Sequence, residues 1–177
     1  PCPDKTSGAS NPPNDSPNDG IEDFDTATGR CITDDPARLS AEGNLPWVTL
    51  NIGANDVWLQ RFIYRVSRTF SDRPPGFPTF TITNTGNLAV CEVQGACPVA
   101  RRLTTTAAAV ILSLGRNQGQ CGSGSCTDEA ENTNNNNRYV SRVHTEPGST
   151  AGEYDDVVVW LSPNVLVSRM VAAGRLP

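Results

Sequence analysis

RFIYRVS, residues 61–67, sets Phe62, Tyr64 and Val66 against Ile63, Arg65 and Ser67. A period of two is that of a half-buried strand, because successive side chains leave an extended backbone on opposite faces. Working outward, short runs of the same kind occur at WVTLNI (47–52), TFTIT (79–83), NLAVC (87–91), RYVSRV (138–143) and DVVVWL (156–161). TAAAVILSL (106–114) is apolar without interruption, which fits one strand buried on both faces. NTGN (84–87) between two such runs reads as a hairpin turn, so strands adjacent in sequence are expected to pair antiparallel.

Helix signals are few. DDPARLSAEG (34–43) predicts a short helix, with Asp35 as N-cap, Pro36 at the first helical position and Gly43 as its stop. SPNVLVSRMVAAG (162–174) predicts another, capped by Ser162, opened by Pro163 and ended by Gly174, with Val165, Leu166 and Met170 on one face. The fold class expected is mainly β: an antiparallel sheet with long disulfide-stapled loops and short helices. A length of 177 residues suits one domain over 1–177, with an acidic loop at 1–36 and an exposed Asn/Gly/Ser-rich loop at 119–137. Trp47, Trp58 and Trp160 each stand at or beside a strand with apolar neighbours and are expected beneath the sheet.

The formal charge is −5, and residues 1–36 carry −6 of it, eight acids against Lys5 and Arg30. A nucleic-acid surface needs clustered excess Lys and Arg, so no nucleic-acid partner is expected. The six cysteines stand at 2, 31, 91, 97, 121 and 126, and no CxxC accompanies them. An even count with two short gaps predicts three disulfides, Cys2–Cys31, Cys91–Cys97 and Cys121–Cys126, and an oxidising compartment. The chain has no signal peptide and no run approaching the roughly 20 apolar residues of a membrane span, so a segment removed from its N-terminus is expected.

Two acidic groups could hold a hard cation such as Ca²⁺, which takes several converging oxygens. DSPNDGIED (15–23) places Asp15, Asp19 and Asp23 at positions 1, 5 and 9 of a calcium loop, with Gly20 at the turn and the Ile21 carbonyl at position 7. Pro17 at position 3 and Thr26 at position 12 depart from that pattern, which leaves a solvated acidic surface as the other reading. The second group is Glu153, Asp155 and Asp156 in GEYDD, where an extended backbone would point the two aspartates to opposite faces. The single histidine, His144, has no nucleophile elbow or Gly-rich oxyanion loop near it and is expected on the surface at a strand end, so no enzyme is expected.

PCPD (1–4), GNLPW (43–47), NDVWLQRFIYRVS (55–67), AVILSLGRNQ (109–118) and GEYDDVVVWLSPNVLVSRMVAAGRLP (152–177) together resemble, in this order, the periplasmic part of prepilin-type proteins. These are the type IV pilins and the type II secretion pseudopilins. Asp56-Val57-Trp58-Leu59-Gln60 departs from the Asp-x-Trp-Gly-Asn of major pseudopilins, which points to a minor subunit or an unusual pilin. The resemblance implies a filament subunit at the bacterial periplasm or cell surface. It would meet other pilin subunits, and the membrane, through an apolar N-terminal helix absent from these 177 residues; with that helix the class is α+β. The resemblance also implies calcium near the C-terminal strands, hence Glu153, Asp155 and Asp156. The competing expectation is a secreted, calcium-stabilised β-sandwich that binds carbohydrate or protein.

Overall fold

The computed structural model describes residues 1–8, 16–32, 39–73, 81–120 and 126–175. Seven strands among them form two sheets. The first contains β1 (Ser40–Asn44), β2 (Ile63–Ser67), β5 (Ala109–Ser113) and β7 (Val157–Leu161), in the order β1-β2-β5-β7 and antiparallel throughout. The second contains β3 (Leu88–Cys91), β4 (Arg102–Ala107) and β6 (Arg138–Val140), in the order β4-β3-β6. Short helices α1 (Trp47–Leu50), α2 (Arg68–Ser71), α3 (Thr127–Thr133) and α4 (Pro163–Ala172) complete a mainly β fold.

The alternation in RFIYRVS decides what lies on each face of the first sheet. Tyr64 and Val66 point into a cluster with Cys2, Cys31, Ala41, Phe70 and Ala109, against which Leu166 of α4 packs. Ile63, on the other face, packs against Leu88, Val90, Val110, Leu112, Tyr139 and Val158, so the second sheet covers this side. Burying one aliphatic side chain of this size is worth roughly 1.5–3 kcal/mol, and these two layers therefore hold the sheets together.

Arg65 shares the second face, yet its side chain is only 1% exposed. Its guanidinium donates to Glu42 Oε2 at 2.5 Å, Asn135 Oδ1 at 2.6 Å and Asn137 Oδ1 at 3.0 Å. The Tyr139 hydroxyl donates to the same Glu42 oxygen at 2.9 Å. A charge this deep is tolerable only when paired and hydrogen-bonded, and the asparagine run supplies those acceptors.

Several expectations need correction. Of the helix placed at 34–43, residues 33–38 lie outside the described residues and Ser40–Gly43 belong to β1. WVTLNI is not a strand: Trp47–Leu50 is a helical turn, started by Val48 N–H and Thr49 N–H donating to the Gly20 carbonyl and ended at Asn51 with φ +53°. In TFTIT, Thr79 and Phe80 lie outside the described residues, and Thr81–Thr83 turns rather than extends, with Thr81 bound to Asn84. NTGN therefore joins no strand to β3 among the described residues. Gly86 serves a close approach instead, since a Cβ there would lie 1.9 Å from the Ala107 carbonyl oxygen.

The apolar run at 106–114 is also not one strand. β4 ends at Ala107, β5 begins at Ala109, and the chain passes from one sheet to the other at Ala108, whose N–H donates to Leu161 O and whose carbonyl accepts from Ser67 N–H. The sequence neighbours β1–β2 and β3–β4 pair antiparallel as expected, while β3 and β6, distant in sequence, pair parallel, with Val90 opposite Tyr139. Ser162 makes no side-chain cap bond, although α4 does begin with proline, and Gly174 follows it at φ +63°. Met170 is half-buried while Val165 is 50% exposed, so α4 rests on the sheet chiefly through Leu166.

No tryptophan lies fully inside. Trp58 is 40% exposed; Trp160 is half-buried against the second cluster; half-buried Trp47 covers Gly20 and carries the Arg61 guanidinium 3.7 Å above its ring.

Two cystines are present among the described residues. Cys2 pairs with Cys31 and Cys91 with Cys97. Cys126 is also disulfide-bonded, and Cys121 lies outside the described residues. Disulfides of this kind belong to oxidising settings such as the periplasm or the extracellular space. No helix among the described residues is long and apolar enough to cross a membrane.

Candidate metal centre

The acidic opening segment folds on its own carboxylates. Asp4 is fully buried and accepts from Asn18 N–H at 2.8 Å and Gly20 N–H at 3.1 Å, while its backbone pairs with Asn44, the last residue of β1. Asp23, 1% exposed, accepts from Lys5 N–H at 2.7 Å and Ser16 N–H at 2.9 Å. Asp19 Oδ1 accepts from Ile21 N–H at 2.8 Å in an exposed turn, and Asp15 lies outside the described residues. The carboxylates of Asp19 and Asp23 thus serve backbone N–H groups rather than converge on one point. Nor is the segment simply solvated, because Asp4 and Asp23 are internal caps. Burial pushes Asp23 up to about 6, with the Asp4 charge adding and the Lys5 and Ser16 N–H groups opposing. Burial likewise raises Asp4.

The second acidic group gathers differently. Glu129, Asp155 and Asp156 each place a carboxylate oxygen within 4.8 Å of the others. Asp155 and Asp156 join the same site, contrary to the expectation from strict alternation, because the chain reaches β7 through an irregular approach after the Thr145–Tyr154 bridge. Glu153 is buried just beside them, within 3.4 Å of Asn117 Nδ2. Glu129 comes from α3, inside the stretch 119–137 expected to be an exposed loop.

The sequence of α3 explains its placement. Asp-Glu-Ala-Glu (128–131) contains good helix formers, and two acids in the first turn suit the positive end of a helix. Those four residues were the legible signal, masked by the asparagines after them. Glu129 is fully buried, Glu131 and Asn132 nearly so. Asn132 acts as a substitute strand residue: its Oδ1 accepts from Val140 N–H at 2.7 Å, and its Nδ2 donates to Val140 O at 3.2 Å and to Asp156 Oδ2 at 2.8 Å. The asparagine-rich run, exposed at Asn134 and Asn135, bonds back to the fold, with Asn134 and Asn136 donating to Glu131 and Asn135 and Asn137 receiving Arg65.

Around the three acids the hydrogen bonds are one-sided. Glu129 Oε1 accepts from Asp155 N–H at 2.7 Å, and its carboxylate receives Asn117 Nδ2 at 3.0 and 3.2 Å. Asp155 Oδ2 accepts from the N–H groups of Arg116 and Asn117, at 2.9 and 3.2 Å. Asp155 Oδ1 and Asp156 Oδ1 are buried and have no hydrogen-bond partner among the described residues. Burial pushes Asp156 up to about 7, with the charges of Glu129 and Asp155 adding and the Asn132 amide opposing. Glu129 is raised by burial too, with Asp155 and Glu153 adding. Asp155 and Asp156 line a cleft of about 460 Å³ together with Trp58, Arg116, Arg142 and His144.

His144 is 55% exposed and 3.9 Å from Glu146. Arg142, on the same cleft, is held by Asp128 Oδ2 at 2.6 Å and lies over the Tyr154 ring. No family model, curated protein or solved structure matches the chain.

Proposed function

We propose that this chain is the globular part of a structural subunit, a pilin or minor pseudopilin, in a type IV pilus-like or type II secretion filament. The observation that carries the reading is an apolar strip on one face of the first sheet. Tyr64, Ile111 and Val159 lie opposite one another across β2, β5 and β7. Exposure rises along this row from 6% at Tyr64 to 57% at Val159, and Val157 on the same face of β7 is 50% exposed. A strip of valine and isoleucine at a sheet edge favours being covered, and an apolar helix laid along it would remove it from water. The resemblance of 55–67, 109–118 and 152–177 to prepilin-type proteins supports the same reading, since β2, β5, β7 and α4 fall inside those blocks.

The test is to express the complete gene in its host and shear the cell surface. The subunit is expected in the filament fraction, and Val159→Arg, on an exposed site, should remove it from that fraction while leaving the melting temperature of the isolated domain unchanged. Recovery of the protein only as a monomer in the medium, after an ordinary signal peptide has been cut, would overturn the reading and favour a secreted binding module.

A further inference from the structure

We propose that the cleft lined by Trp58, Arg116, Glu146, Asp155 and Asp156 binds a small zwitterion, an amino acid or dipeptide with an apolar side chain. This goes beyond the filament reading and stands without it. The cleft holds about 460 Å³, within the roughly 300–1,000 Å³ of small-molecule sites and far more than a bare ion fills.

Charge decides the class of ligand. Arg142, which also lines the cleft, is already spent within the fold: Asp128 Oδ2 holds it at 2.6 Å, and it donates to the Ala151 and Gly152 carbonyls at 3.1 and 3.2 Å. Arg116 differs. It is exposed, and although its backbone N–H donates to Asp155 Oδ2, its guanidinium has no hydrogen bond or ion pair among the described residues. The acids of the cleft are equally uncommitted. Asp155 and Asp156 each leave Oδ1 buried without a hydrogen bond among the described residues, and Asp156 as a whole is 6% exposed. Glu146 is 74% exposed and meets His144 at 3.9 Å, a pair only when the imidazole is protonated.

One cleft thus presents a guanidinium and a carboxylate wall that do not pair with each other. A metal ion or a simple amine would meet the guanidinium as a like charge, and a simple anion would meet the carboxylates in the same way. An uncharged ligand would desolvate ionised groups without supplying their counter-charge. A zwitterion answers both, with its carboxylate on the Arg116 fork and its ammonium toward Asp155 and Asp156, in charge-assisted hydrogen bonds about twice as strong as neutral ones. Trp58 supplies the apolar surface. It is 40% exposed, and the backbone that carries it is fixed by Asp56, whose Oδ1 accepts from Trp58 N–H and Gln60 N–H at 2.9 Å each and whose Oδ2 accepts from Ser113 Oγ at 2.5 Å. An indole held in this way offers an aromatic ligand side chain an offset stack.

The experiment titrates the 177-residue protein, freed of metal with chelator at pH 8, with phenylalanine and with phenylalanyl-phenylalanine, read by calorimetry and tryptophan fluorescence. Binding to one site is expected. N-acetylphenylalanine, which lacks the ammonium, and phenylalanine amide, which lacks the carboxylate, should each bind about tenfold more weakly or worse. Arg116→Gln should weaken phenylalanine by a similar factor and no longer distinguish it from its amide; Asp155→Asn should no longer distinguish it from its acetylated form. Trp58→Ala should remove the preference for phenylalanine over glycine. The tighter ligand identifies the source: phenylalanine a free amino acid, the dipeptide the two ends of a short peptide. Absence of binding by both would overturn the proposal. So would blocked analogues that bind as well as phenylalanine, or a preference for phenylalanine over its amide that survives Arg116→Gln. Should Asp155→Asn fail to fold, the blocked analogues on the wild type and Arg116→Gln decide alone.

Discussion

Arg65 concentrates the energetics of the polar interior in one residue. Its guanidinium is enclosed by Glu42, Asn135, Asn137 and Ser40. Arg65→Ala would take the ion-pair partner from Glu42, which keeps only the Tyr139 hydroxyl, and the donor from two amide oxygens, and removing one partner of a buried pair costs about 3–5 kcal/mol. Denaturant unfolding should show that loss, and a change under about 1 kcal/mol would mean that water replaces the guanidinium. Asp23 sets a pH dependence. Its folded value is about 6, above the ordinary 3.8, so the folded chain holds a proton there that the unfolded chain has released. Its contribution to stability is complete below about pH 4 and is lost as pH rises through about 6. Melting temperatures across that window should decline from this group in the wild type, and the decline should shrink in Asp23→Asn. Gly20 permits no side chain, since a Cβ would fall 2.2 Å from the Trp47 ring at a φ of +80°. Gly20→Ala should therefore displace Trp47 and abolish its contact with Arg61, visible as a change in tryptophan fluorescence.

Among the elements, α3 departs furthest from what its composition suggests. A seven-residue helix has little stability of its own, so its place depends on tertiary partners. Asn132 is the principal one, joining α3 to both backbone groups of Val140 and to Asp156. Asn132→Ala would leave the Val140 N–H and Asp156 Oδ2 without their amide partner at about 1–3 kcal/mol each, while Val140 O keeps the Tyr154 hydroxyl. Hydrogen exchange at the Val140 amide should accelerate far more than at Val66 in the first sheet, whereas Thr133→Ala, on the exposed side, should change neither. Equal acceleration at both amides would mean that α3 unfolds only with the whole molecule. Much of this was legible in part: DEAE marked a helix, but its buried face is made of Glu129 and Asn132, and no apolar periodicity announces a polar buried face.

For the molecule as a whole, the two described cystines differ in what they constrain. Cys2–Cys31 spans 29 residues and Cys91–Cys97 spans 6. Loop-closure entropy assigns about 3–4 kcal/mol to the longer and about 2 kcal/mol to the shorter. Cys2 and Cys31 also belong to the core under Tyr64 and Val66, so the paired variant Cys2→Ala/Cys31→Ala loses packing as well. It should melt well below Cys91→Ala/Cys97→Ala in parallel scans, and the reverse order would show that the opening segment adds little to the fold.

Local patterns alone determined β2, β3 and β7 and the helix over 163–172, because period-two and proline–glycine signals act over a few residues and need no distant partner. Cysteine spacing similarly indicated an oxidised, stapled chain. Only the tertiary structure decided that residues 102–113 divide between two sheets, because Ala107 and Ala108 meet Gly86 on one side and Ser67 and Leu161 on the other. The parallel pairing of β3 with β6 and the bonds from Arg65 to Asn135 and Asn137 were likewise set by partners about 50 to 70 residues away. The acidic site follows the same rule. Asp155 and Asp156 were visible as candidates, but Glu129 joins them across 26 residues, because a buried carboxylate is placed by the donors that fold around it and not by its neighbours in the chain.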